Sequence, residues 1–264
     1  MRKNKLLSIF ILLILFACER ATQEDKNVRK PSYISTKTIK ESENKKDTLD
    51  FITPIEHGSF AIELNHKKIY IDPMGNSMLY ADQKPADIIV ITHYHPDYLV
   101  PGGIENLSHE KTKLIIPTSV EEILPGELKE KSIALKPDQD TTIAEIDFKS
   151  IGFPNAEKSR LKENGFHIKT KKINILISGK NQYLSEIPMI KNLDVLLLQM
   201  NLQEEKALEK TIEELVRLNP KQIYPYYYDG IFTYNYVARL KHKIENRNPK
   251  SEVKILNWYK NQLN

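Results

Sequence analysis

The chain has a single cysteine among its 264 residues, and that scarcity excludes two kinds of architecture. No intramolecular disulfide can form, and no thiolate-based zinc site can be assembled. Net charge is scarce as well. Arg2, Lys3 and Lys5 supply three of the formal +4, so the remainder carries +1. That balance gives no reason to expect nucleic acid as a partner. Long apolar runs are limited to Leu6–Ala17, well short of the ~20 residues a bilayer-spanning helix needs. No internal repeat is visible. What is present, 40% hydrophobic and 8% aromatic residues, is enough for a packed core in one large domain or two small ones.

The basic start, the apolar run and the sequence Leu15-Phe16-Ala17-Cys18 form a targeting segment rather than a structural one. It resembles a bacterial lipoprotein signal, with Phe16 bulkier than the small residue often found there. The resemblance implies cleavage after residue 17, lipidation of Cys18, and a protein anchored to a membrane of the bacterial cell envelope, on its periplasmic or surface side. An ordinary secretory signal followed by an incidental cysteine is the alternative. Residues 18–50 are dominated by Lys, Glu, Asp, Asn, Ser and Thr. Such a composition buries too little surface to offset ordering entropy, so a flexible tether is expected, with a reach of roughly 30 Å. A single domain is expected over 51–264.

From Phe51 onward the pattern is dense. Ser59–Leu64 and Lys68–Ile71 flank Asn65-His66-Lys67 as a β-hairpin with His66 in solvent at its tip. Ile88-Ile89-Val90-Ile91 does not alternate, as expected of a strand buried on both faces. Lys113–Pro117 is a further strand, followed by a helical segment capped by Ser119. Strands are expected within 141–151 and 166–177, the latter pair turning at Thr170-Lys171-Lys172, and at 194–198. Leu208, Ile212, Leu215 and Leu218 fall on one face of an amphipathic helix over 204–218. A second helix over 234–244 and a closing strand over 253–258 complete the pattern. Strands in two batches, each followed by helices, suit one α/β sandwich.

The polar residues of greatest interest follow the doubly buried strand. His93, His95 and Asp97 stand at alternate positions, so an extended stretch would point all three one way. Two imidazoles and a carboxylate are competent ligands for zinc or another divalent metal. His109 and His242 sit among charges expected to be helical and are read as solvated, and His167, between Phe166 and Ile168, faces away from the core.

Thr92-His93-Tyr94-His95-Pro96-Asp97-Tyr98 resembles the signature of the metallo-β-lactamase-fold hydrolases. Glu56-His57-Gly58-Ser59-Phe60, Ile71-Asp72-Pro73 and Pro85-Ala86-Asp87 are similar to elements of the branch containing ascorbate-6-phosphate lactonase-like and N-acyl-phosphatidylethanolamine phospholipase D-like proteins. Several matches in order are a stronger signal than one short motif. The resemblance implies an αββα sandwich with its site at one edge between the sheets. It also implies seven ligands for two metals, of which His93, His95 and Asp97 are present. Tyr98, Asn155, Lys180 and Tyr227 stand where four others are expected.

Lys180 is the most informative of these departures. A carboxylate bridging two dications offsets their repulsion, whereas an ammonium adds to it. At ~4 Å and an effective dielectric of 20, each unit-charge pair is worth about 4 kcal/mol, doubled against a dication. Lys180 is therefore expected to fill the second metal position and pair with Asp97, unless its long stem carries the charge into solvent. Tyr98 and Tyr227 would pack into space left by imidazoles or act as costly phenolate ligands. At most one ion is expected.

Two readings follow. In the first, the domain has lost part of a dinuclear centre and binds a small molecule or an envelope protein, with weak or no hydrolysis. In the second, one ion activates water against a lactone, ester or phosphodiester, with Asp97 orienting or deprotonating it. His57 would stabilise developing charge or make a hydrogen bond within the fold. Asp72 would steady a histidine or a strand turn from behind. A third, purely structural reading makes Tyr224, Tyr226, Tyr227 and Tyr228 an interaction patch.

Overall fold

Two mixed β-sheets face each other across a continuous apolar layer. The computed structural model describes residues 51–75, 77–94, 101–153, 164–200, 204–228 and 230–258. These fall in one unit, Thr48–Asn264. The first sheet runs in chain order through β1 (Ile52–Glu56), β2 (Ser59–Leu64), β3 (Lys67–Ile71), β4 (Ala86–Val90), β5 (Ser108–Pro117) and β6 (Ser132–Leu135). Its first three strands are antiparallel neighbours and its last four are parallel. The second sheet contains β7 (Asp140–Ile143), β8 (Ile146–Gly152), β9 (Asn164–Lys169), β10 (Asn174–Lys180), β11 (Val195–Gln199), β12 (Gln222–Tyr226) and β13 (Glu252–Val253). It reads from β7 to β13 across the sheet, antiparallel up to β10 and parallel beyond.

The expected αββα arrangement is observed. Ile88 and Val90 enter the layer between the sheets, while Ile89 and Ile91 enter a second apolar cluster on the outer face of the first sheet. Helices α1 (Pro101–Leu107), α2 (Thr118–Glu121) and α3 (Gly126–Glu130) contribute Leu107, Val120 and Leu128 to that outer cluster. Helices α4 (Glu205–Leu218) and α5 (Gly230–Arg247) belong to the second sheet's side, burying Leu208, Ile212, Leu215 and Leu218 from one and Val237, Leu240 and Ile244 from the other. Glu205 and Glu209 pair with Arg239, Lys243 and Arg247 across the two helices.

Several local expectations need correction. Ser119 does not cap its helix. Pro117 occupies that position without a side-chain hydrogen bond, because extended proline geometry alone starts the turn. His109 lies in β5 rather than in a helix, half-buried, with its Nδ1 accepting from Lys111 N at 3.1 Å. The closing strand stops at Val253. Beyond it Trp258 folds back, its indole donating to Pro225 O at 2.7 Å and packing edge-on against Phe60 at 5.8 Å.

Candidate metal-binding cleft

The site is built at the carboxyl ends of parallel strands, where open α/β sheets gather ligands. Strand β4 continues its pairing past Val90, with Ile91 N donating to Ile115 O at 3.0 Å, before Thr92 and His93 leave the sheet. Both are buried, His93 at 5% exposure and Thr92 at 2%. At the end of β3, Asp72 turns into a left-handed conformation, φ 44°. Ser59 holds it there: the hydroxyl donates to Asp72 O at 2.5 Å and accepts from Met74 N at 2.9 Å. The bend aims the carboxylate at Thr92, whose N–H donates to Oδ1 at 2.7 Å and whose hydroxyl lies 2.6 Å from Oδ2. The same hydroxyl lies 2.8 Å from His93 Nδ1.

The second sheet closes on this turn from the other side. Asn164, at the start of β9, donates its N–H to Thr92 O at 3.2 Å and its Nδ2 to Ser150 Oγ at 2.8 Å. Gly179 approaches Asn164 so closely that a Cβ there would sit 3.2 Å from its carbonyl oxygen, and φ is +62°. Only glycine accepts both conditions cheaply. The backbone of Lys180 thereby reaches the cleft, in register with Gln199, which is in register with Tyr226. Tyr227 follows in left-handed conformation, φ 56°, as does His57 opposite it, φ 54°. Tyr227 N donates to His57 O at 3.3 Å, and the two rings lie 5.7 Å apart. Burial pushes the neighbouring Tyr228 phenol above its usual range, and its hydroxyl donates to Leu256 O at 3.2 Å.

Thus His57, Asp72, His93 and Tyr227, with the backbone of Lys180, gather at one end of the sandwich. Asp72 reaches His93 through Thr92. His95, Asp97, Tyr98, Asn155, Cys18 and the Lys180 side chain lie outside the described residues, so the pairing of Lys180 with Asp97 does as well. Among the described residues no three His, Cys, Asp or Glu side chains converge. A ligand set of three or more such side chains would draw on residues outside the described ones, as the expected His93, His95 and Asp97 set does. Ser59 and Thr92, which the motifs include without a role, and Ser150, Asn164 and Gln199, which lie outside them, are buried polar residues at this end. Their signal in the sequence is slight: each is a polar residue set singly within or beside a strand.

The remaining histidines stand apart. His66 is exposed at its hairpin tip and His242 on α5. His167 is half-buried on β9 and hydrogen-bonds Asn174, and desolvation holds its pKa below the usual value. A cleft of about 1000 Å³ at the opposite end of the sandwich, lined by the turns at 65–66, 144–145 and 171–172, contains none of the site residues.

A family model for the beta-lactamase superfamily domain matches residues 51–227. The chain belongs to the beta-lactamase superfamily. Among solved structures it resembles a protein from Parabacteroides distasonis assigned as a metal-dependent hydrolase, with 24% identity over 77% of this chain and 91% of that one, TM-score 0.62. The metallo hydrolase Igni18 from Ignicoccus hospitalis is similar at 16% identity over 78% and 94%, TM-score 0.60. The metallo-β-lactamase fold protein YhfI from Bacillus subtilis is similar at 12% over 78% and 95%, TM-score 0.59. At these identities the likeness establishes the metallo-β-lactamase fold of this superfamily domain. No curated protein matches the sequence.

Proposed function

We propose that the protein is a lipid-anchored component of the bacterial cell envelope whose superfamily domain retains half of an ancestral dinuclear site. The inherited cleft binds a small molecule or an envelope protein, with weak or no hydrolytic turnover. The observation that carries this reading is the seat of Tyr227, tied through its N–H to His57 O and set beside the His57 ring, at the position where the sequence resemblance implies a histidine. A phenol in that seat keeps the cleft packed but gives up a neutral nitrogen donor. Two strands over, on β10, the backbone of Lys180 reaches the same edge.

His93 suits the role of metal ligand. Its ring is buried, and the hydroxyl of Thr92 meets one of its nitrogens, Nδ1. With His95 and Asp97 it would hold a single divalent ion. Such an ion, when bound, supplies a Lewis acid and an activated water. His57 would orient a ligand at the mouth, and Asp97 would accept a proton there. Activity on a lactone, ester or phosphodiester is the second reading, and the Asp72–Thr92–His93 chain favours it, since that support has survived where other ligands have not. The branch of lactonase-like and phospholipase D-like proteins is the source proposed for this inherited cleft.

Metal content of the purified full-length protein tests the proposal. The wild type is expected to carry no more than one equivalent of zinc, manganese or iron. The triple substitution Tyr98→His, Lys180→Asp, Tyr227→His is expected to raise that toward two. Two equivalents in the wild type, or no rise in the triple variant, would overturn the assignment of the site.

A further inference from the structure

We infer that Thr92 is a positioning residue that fixes His93 in its Nδ1–H tautomer, so that Nε2 carries the lone pair available for a metal. The inference rests on the one-ion reading of the site and deepens it. A threonine hydroxyl has one proton to give. The Asp72 carboxylate already accepts the Thr92 N–H at 2.7 Å on Oδ1, so it acts as an acceptor, and its Oδ2 lies 2.6 Å from Thr92 Oγ1. With Asp72 as the ionised acceptor on both oxygens, the one hydroxyl proton points at Oδ2. Thr92 Oγ1 then faces His93 Nδ1, at 2.8 Å, with lone pairs alone. The contact is a hydrogen bond only if Nδ1 is the donor. Which ring nitrogen carries the proton is set by the partner of the other, and here a hydroxyl relays the carboxylate's demand.

Every other feature of Thr92 serves the same end. Its carbonyl accepts from Asn164 N at 3.2 Å, which stops the residue from rotating away. The Ser59 hydroxyl, donating to Asp72 O, holds the bend that aims the carboxylate. All four residues, Ser59, Asp72, Thr92 and His93, are buried, so water competes weakly for these bonds.

The test uses the full-length protein with ¹⁵N-labelled histidine. Long-range ¹H–¹⁵N correlation under alkaline conditions separates the two neutral tautomers, and the signal lost in His93→Gln identifies the residue. The wild type is expected to show a protonated Nδ1 and a bare Nε2. Thr92→Ser is expected to keep that pattern, and Thr92→Val to lose it. Asp72→Asn preserves shape but inverts the logic: its amide donates to Thr92 Oγ1, the hydroxyl proton turns to His93, and the Nε2–H form appears. Zinc titration should then show affinity about 10–100-fold weaker for Thr92→Val and nearly unchanged for Thr92→Ser. A wild-type His93 protonated at Nε2 overturns the inference, as does an unmoved tautomer in a folded Asp72→Asn protein or equal zinc affinity in all variants. A wild type with the expected tautomer and no zinc uptake supports the relay and overturns the one-ion reading instead.

Discussion

Asp72 and His167 present opposite uses of a buried polar side chain. Asp72 is held bent so that its carboxylate can direct its neighbour, and its removal should be felt at His93 rather than in the core. His167 has no such audience. It is half-buried on β9, and desolvation is the main reason its pKa lies below the ordinary value near 6.5, with Lys169 and Lys149 adding repulsion against the bond to Asn174. A depressed folded-state pKa means the unfolded chain takes up a proton first as pH falls. The stability this neutral histidine permits is complete above about pH 6.5 and declines below it until the folded state protonates too, with a limiting slope of one proton. Melting temperature measured from neutral to mildly acidic pH should therefore fall less steeply in His167→Gln than in the wild type. Parallel curves would show that His167 contributes nothing to acid sensitivity.

At the level of elements, apolar period carries most of the fold. Ile88–Ile91 announces a strand buried on both faces, and both faces are indeed buried, against different clusters. The face of α4 is equally plain, with Leu208, Ile212, Leu215 and Leu218 all in the core. Ile212→Ala should cost about 2–5 kcal/mol, visible as a lower urea midpoint at unchanged slope. A change under 1 kcal/mol would mean that the helix rests loosely on its sheet. What the pattern does not carry is non-local. The order from β10 to β13 depends on crossovers that no local period encodes. Trp258 looks like the end of a strand because its apolar neighbours suit one, yet its indole finds a carbonyl on β12 and the chain turns inward instead. The cleft divides in the same way. His93 and Asp72 stand out as motif residues, whereas Ser59, Thr92 and Asn164 matter because hydroxyls and an amide meet across 13 to 72 positions of sequence, a convergence that only the folded chain creates.

For the whole molecule, the proposed anchor decides where the cleft works. Among the described residues no helix is long and apolar enough to cross a membrane. In the proposed reading the attachment is lipidated Cys18. Cys18→Ser should abolish labelling by a fatty-acid probe and move the protein from the membrane pellet to the soluble fraction. Retention in the pellet with no label would point to a protein partner as the tether.

The ties between the sheets bear on what this cleft can select. Thr92 with Asn164 and His57 with Tyr227 fasten one end, and Asn65 Nδ2 fastens the other through the carbonyls of Ala144 and Glu145. Jaws bolted at both ends cannot bite. A guest would be chosen by whether it fits a gap of fixed width, and amide exchange at residues 164 and 227 should stay as slow with the cleft filled as with it empty.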